Sequence, residues 1–207
     1  MQREEKSERS RRAVLDSGLY LFSHHGYRAT TVREIAERAK VSTGNLYHHF
    51  PDKEAIFRAL LDEYVEIVDS PHHPFMRLLH SDSRFPDNLE ELGFAARDAV
   101  RQYRAYLALI YVDVIEFGGT HIQTFYGGMS ERFARIIDEQ GSHGDVQARL
   151  RPNVSPVSAL MLTTRVFFNY FSLEILFGVR EPFGKDSHEV VKEIADIVRN
   201  GVCAREP

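Results

Sequence analysis

At 207 residues, with 43% hydrophobic residues, 27% charged residues and a net charge of −4, the chain has the composition of a globular protein: one domain, or a small domain joined to a larger one. That balance excludes a disordered or collagen-like chain, and no apolar run approaches the roughly 20 residues of a membrane-spanning helix. The polar N-terminus lacks a signal-peptide core and the single cysteine, Cys203, has no intrachain partner for a disulfide, so a cytoplasmic protein is expected.

Apolar positions recur at three- and four-residue spacing throughout, without the strict alternation of strands, which predicts an all-α fold of about nine helices. Leu15, Leu19 and Phe22 form the first stripe, and Gly26 is placed to close that helix. Thr31-Val32-Arg33-Glu34 is a capping box opening a two-turn helix with Ile35, Ala36 and Ala39 inward. After the turn Lys40-Val41-Ser42, Ser42 caps a short helix over 43–49 whose inward residues are Leu46 and Phe50. Pro51 breaks the run, and Asp52 caps a helix carrying Ile56, Leu60, Tyr64 and Ile67. Residues 70–88 read as a long connection with a turn of helix at Phe75–His80. Further helices are expected from Asp87, over 105–117, from Thr120 through Ile137 with a break at Gly127-Gly128, over 157–177 after Ser155-Pro156, and from Asp186 onward. Residues 141–154 read as a polar loop.

Two short helices joined by a tight turn form a helix-turn-helix pattern, whose second helix enters the major groove of DNA. With Leu46 and Phe50 inward, Thr43, Gly44, Asn45, Tyr47, His48 and His49 point mainly outward. Asparagine bonds adenine bidentately, threonine bonds bases or touches a thymine methyl, and Gly44 lets backbone come close. Tyr47, His48 and Lys53 suit phosphate oxygens. Each has a plainer reading: Tyr47 packs on the first helix, Lys53 is a solvated lysine, Asn45 bonds only its own turn. Arg9, Arg11 and Arg12 serve equally as a phosphate clamp or as a solvated terminus. Charge agrees with a polyanion near the N-terminus: residues 1–60 hold 11 Lys and Arg against 8 Asp and Glu, a net of +3, while the remainder holds 15 against 22, a net of −7.

The run from Gly26 to Phe57 resembles the DNA-binding domain of the TetR family of bacterial transcriptional regulators, a likeness that extends over roughly Arg11 to Leu60. The resemblance implies a homodimer with a three-helix DNA-binding domain, here residues 1–52, and a larger helical effector-binding and dimerisation domain, residues 53–207. Carried over by position, Arg33, Thr43, Gly44 and Asn45 approach bases, Thr31, Tyr47, His48 and Lys53 grip phosphates, and His49 does either. Lys40 departs from the family's usual glycine at the end of the second helix, a position that favours positive φ.

In the second domain, aromatics cluster between residues 94 and 171. Most are expected to be core, but Phe94, Tyr103, Tyr106, Phe117, Phe125 and Phe168 would suit an apolar ligand cavity, with Asp113 and Arg165 as orienting charges. Asp113, Glu116 and Arg165 could equally be mutual ion partners or lie on the outer face. Leu160, Phe167, Phe171 and Ile175 on one late helix, with Val190, Ile194 and Ile197 on the last, are candidate dimer contacts. His72, His73, His80, His121 and His143 lack metal-ligand spacing, and no nucleophile elbow or phosphate-binding loop points to an enzyme. The expected function is a repressor that binds a palindromic duplex operator as a homodimer and is released by a small, largely apolar effector, with no cofactor and no membrane partner. The alternative is a DNA-binding regulator without a small-molecule switch, answering to a protein partner or acting as an activator.

Overall fold

The computed structural model describes residues 2–81, 84–139 and 143–202. Cys203 lies outside them, as does the side chain of His143. The described residues are helical, with no β-strand: α1 (Gln2–His25), α2 (Val32–Ala39), α3 (Thr43–His49), α4 (Lys53–Asp69), α5 (Pro74–Leu79), α6 (Leu89–Gln102), α7 (Arg104–Phe117), α8 (Gln123–Gly127), α9 (Met129–Glu139), α10 (His143–Arg149), α11 (Pro156–Phe171), continued by a π-helical turn (Ser172–Leu176), and α12 (Ser187–Val202).

Local chemistry sets most of these boundaries. Gly26, at φ 84°, closes α1 with its N–H on the Phe22 carbonyl at 3.0 Å. Asp52 Oδ1 accepts from the Ala55 N–H at 2.7 Å at the start of α4, and Ser155 Oγ accepts from the Ser158 N–H at 3.1 Å ahead of Pro156. Asp186 accepts from the His188 N–H at 2.8 Å to begin α12. Three details differ from the sequence reading. The helix expected from Thr120 starts at Gln123, with its expected break at the glycine pair dividing it into α8 and α9. Asn88, not Asp87, immediately precedes α6, and Asp87 pairs instead with Arg149. The expected polar loop holds α10, in which Val146 is the buried apolar residue among the described side chains, too few apolar positions to register as a period.

The chain divides into two compact units, Met1–Ile67 with Ala105–Thr124, and Val68–Arg104 with Phe125–Pro207. In the first, Val14, Phe22, Ile35, Leu46, Ile56, Phe57 and Leu60 are fully buried, each stabilising the fold by about 1.5–3 kcal/mol relative to exposure. Phe57 packs edge-on to Phe22 at 5.5 Å and stacks on Phe117 at 5.1 Å, so the end of α7 belongs to the same core as α1–α4. In the second unit α6 packs on α11 and α12. Gly93 makes that approach possible: a Cβ there would meet Phe167 and Val191 side chains at 2.8 Å.

Candidate nucleic-acid interface

The capping box at α2 forms as its sequence dictates. Thr31 Oγ1 accepts from the Glu34 N–H at 3.2 Å and Glu34 Oε2 accepts from the Thr31 N–H at 2.7 Å. The Thr31 hydroxyl also donates to that carboxylate, which holds the Glu34 carboxyl below the usual range. At the other end of α2, Lys40 adopts φ 56°, ψ 39°, and its N–H reaches the Ala36 and Glu37 carbonyls. The turn therefore keeps the left-handed geometry with a lysine in it, at a cost of about 1 kcal/mol. Ser42 Oγ then accepts from the Asn45 N–H at 3.1 Å and opens α3.

Leu46, fully buried, and Phe50 anchor α3, which leaves Thr43, Gly44, Tyr47 and His48 exposed and Asn45 and His49 half-buried. Tyr47 is 53% exposed. Asn45 Oδ1 is buried and has no hydrogen-bond partner within the protein. Burial and the neighbouring His48 push His49 below its ordinary pKa, favouring the neutral imidazole. Arg33 is exposed and pairs only with Glu37 on its own helix, at 2.8 Å.

The other basic groups are more committed. Lys53 Nζ donates to the Tyr27 and Thr30 carbonyls, both at 2.7 Å, and lies 4.0 Å from the Tyr27 ring centre. Two of its three protons thus hold the α1–α2 turn. Arg12 bonds Asp16 at 2.8 Å and Glu63 at 2.5 Å, and Arg11 lies over the Phe50 ring at 5.5 Å. Both lie within α1 rather than in a loose terminus.

The same turn is gripped from the far end of α7. Glu116 Oε1 accepts from the Tyr27 N–H at 2.9 Å and Oε2 from the Arg28 N–H at 2.7 Å. The Arg28 guanidinium stands 3.8 Å away. Gly26 makes room, since a Cβ there would come within 2.8 Å of Glu116 Oε1. Beside it, fully buried Asp113 accepts from His121 Nδ1 at 2.6 Å and from the Ile122 N–H at 3.1 Å, fixing the segment after α7. Sequence reasoning singled out Glu116 but not these partners, 88 and 89 residues away.

The expected ligand residues fall in both units. Tyr106, Asp113 and Phe117 belong to the first unit. Tyr106 stacks on Tyr64 at 5.7 Å, and burial pushes its hydroxyl pKa up to about 12. Phe117 packs on Phe57, Tyr27 and His121, and the two oxygens of Asp113 are each engaged, by His121 and by the Ile122 N–H. In the second unit Phe94 meets His188, Tyr103 stacks on His73, Phe125 lies beneath Arg132, Phe168 meets Phe75, and exposed Arg165 covers Tyr126.

The expected dimer contacts need correction on burial. Leu160, Phe167, Phe171, Val190 and Ile194 are buried inside the protomer, where they tie α11 and α12 to α6. Ile175 is half-buried and Ile197 is 64% exposed. Among the described side chains, the large apolar ones that these two helices leave open to solvent are Leu162 and Ile197.

Among the described residues no group of three or more His, Cys, Asp or Glu side chains could hold a metal ion, and no helix is long and apolar enough to cross a membrane. A capped α2, a left-handed turn and a short exposed α3 rich in hydrogen-bonding side chains define a helix-turn-helix DNA-binding protein. The family described as bacterial regulatory proteins, tetR family, matches residues 14–60. The transcriptional repressor KstR2 of Mycobacterium tuberculosis is 41% identical over 108 residues, 48% of each chain. The A-factor receptor protein of Streptomyces griseus is 27% identical over 157 residues, 75% of this chain and 52% of that one. The chain spans about half the length of these curated relatives. Among solved structures, the fatty acid degradation regulator FadR of Bacillus halodurans aligns with a TM-score of 0.66 at 15% identity, covering 91% of this chain and 93% of that one. NalD, the secondary repressor of the MexAB-OprM multidrug efflux pump in Pseudomonas aeruginosa, aligns at 0.64 and 18%, covering 98% and 100%. Such identities speak for the fold. The family match falls on the helix-turn-helix, and the solved structures share the fold of the chain.

Proposed function

We propose that the protein is a repressor that binds an imperfect palindromic operator as a homodimer and releases it on binding a small, largely apolar effector. The observation that carries this reading is the α3 surface, where Thr43, Gly44, Tyr47 and His48 stand free on a helix anchored by Leu46 and Phe50. Thr43, Gly44, Asn45 and Arg33 read base edges, Thr31, Tyr47 and His48 steady the phosphates, His49 reaches either, and the third proton of Lys53 adds to the phosphate grip. Operator binding places the protein in the cytoplasm. Leu162 and Ile197, on α11 and α12, supply the solvent-facing part of the dimer contact.

Release works through spacing. Two α3 helices read successive major grooves about 34 Å apart, and an effector shifts the protein toward another spacing only by its difference in affinity for the two. Glu116 joins α7 to the α1–α2 turn, so the reading head is held by α7 as well as by the chain continuity of α4. Selection of duplexes from a random library by the purified protein, at near-physiological salt, tests the reading. It should return one palindromic motif. Folded protein that enriches no motif, or only a single half-site, would overturn it.

A further inference from the structure

The second unit holds two buried side chains whose hydrogen-bonding groups the protein leaves unused. His73, just before α5, is 2% exposed, and its ring lies flat on Tyr103 with centroids 5.2 Å apart and planes within 13°. Stacking covers a face of the ring, and the nitrogens project from its edge. Neither Nδ1 nor Nε2 meets a protein partner. Arg132 on α9 grips Asp69 through Nε at 2.6 Å and Nη2 at 2.9 Å, yet its buried Nη1 has no acceptor. Both groups attach to the same stretch of chain. Asp69 and His73 flank the α4–α5 connection, and Phe133, beside Arg132, meets Phe75 edge-on at 6.3 Å; Phe75 in turn meets Phe168 at 5.9 Å.

Buried donors and acceptors left without partners cost their full desolvation, and folded proteins keep such groups where something else satisfies them. We propose that His73 and Arg132 Nη1 are the hydrogen-bonding end of the effector site and that they select an uncharged ligand, a hydrocarbon chain or ring bearing a carbonyl or hydroxyl oxygen. This rests on the effector reading given above. The charge balance decides the ligand class. Asp69 already neutralises Arg132, and burial pushes the His73 pKa down to about 4, so the imidazole is neutral. A carboxylate or ammonium head would therefore be buried with no counter-charge. Nη1 and the protonated imidazole nitrogen donate to a carbonyl, the other nitrogen accepts from a hydroxyl, and the rings of Tyr103, Phe75, Phe133 and Phe168 contact the apolar body.

The test uses the full chain with the neutral fluorophore Nile red as reporter, displaced by methyl decanoate or by decanoate, which share a chain and differ in the charge of the head. Methyl decanoate should displace the dye at about ten-fold lower concentration than decanoate, and His73→Phe should raise the methyl decanoate requirement about five-fold without raising that of decanoate. Decanoate acting as well as the ester, or an ester unaffected by His73→Phe, would overturn the inference while leaving an effector site in place. Should His73→Phe fail to fold, isotope-labelled wild-type protein gives the answer: the His73 ring-nitrogen resonances must move when the ester is added. Unmoved resonances would mean that only buried water satisfies the ring. Failure of the dye and both competitors to bind would sink the effector reading itself.

Discussion

Glu116→Gln tests whether α7 holds the reading head. The two carboxylate oxygens accept separately, from Tyr27 N–H at 2.9 Å and from Arg28 N–H at 2.7 Å, and a hydrogen bond to a charged group contributes about 1.5–3 kcal/mol. Glutamine has the same shape but keeps one acceptor and turns an N–H₂ toward the other amide. One bond is lost and two donors face each other, a deficit of about 2 kcal/mol, or roughly thirty-fold in an equilibrium. Amide hydrogen exchange should show Tyr27 and Arg28 losing protection by about that factor, and affinity for the selected operator should fall at least about ten-fold, because the turn sets where α2 begins. Arg28→Ala is the control. Its guanidinium is 79% exposed and 3.8 Å from the carboxylate, so its loss should change Tyr27 exchange by less than about 1 kcal/mol. Unchanged exchange and operator affinity within two-fold for folded Glu116→Gln would refute the coupling.

Lys40→Gly should raise the urea midpoint by the equivalent of about 1 kcal/mol, since glycine accepts φ 56° without strain; an unchanged or lowered midpoint would show that the lysine is not strained. Lys53→Met removes the donor to two carbonyls and should destabilise the α1–α2 turn by about 2 kcal/mol while lowering the salt slope of operator binding by about one phosphate contact; an unchanged slope would take Lys53 out of the phosphate grip. Burial depresses the His73 pKa from 6.5 to about 4, so its contribution to stability is complete above pH 6.5 and shrinks as pH falls toward 4, by about 3 kcal/mol in all. Urea unfolding at pH 7 and pH 4.5 should therefore show the wild type losing about 2 kcal/mol more than His73→Phe; equal losses would mean His73 is not held neutral.

How much the sequence revealed depended on how local each interaction is. Thr31, Glu34, Ser42, Asp52 and Asp186 act within three residues of themselves, so their caps, and with them the helix-turn-helix, follow from spacing alone. Glu116, Asp113 and Lys53 carry no such mark, because what decides their roles lies on other elements. An acid in an apolar helix has the same sequence signature whether it binds a ligand, caps a distant turn or pairs with a histidine. The stripes of α11 and α12 were visible, but period alone does not say whether a face meets its own core or a second subunit. Leu160, Phe167 and Val190 proved to meet the core, leaving Leu162 and Ile197 outside. α10 went unseen because a single inward residue, Val146, makes no pattern.

The most direct test of the central claim is to repeat the duplex selection with Asn45→Ala beside the wild type, under identical salt. If α3 reads the groove in a symmetric dimer, the motif should keep its palindrome and half-site spacing but lose base preference at one mirrored position in each half, with affinity for the parent site down by about 1–3 kcal/mol per half-site. An unchanged motif, or a change at one half only, would contradict the account.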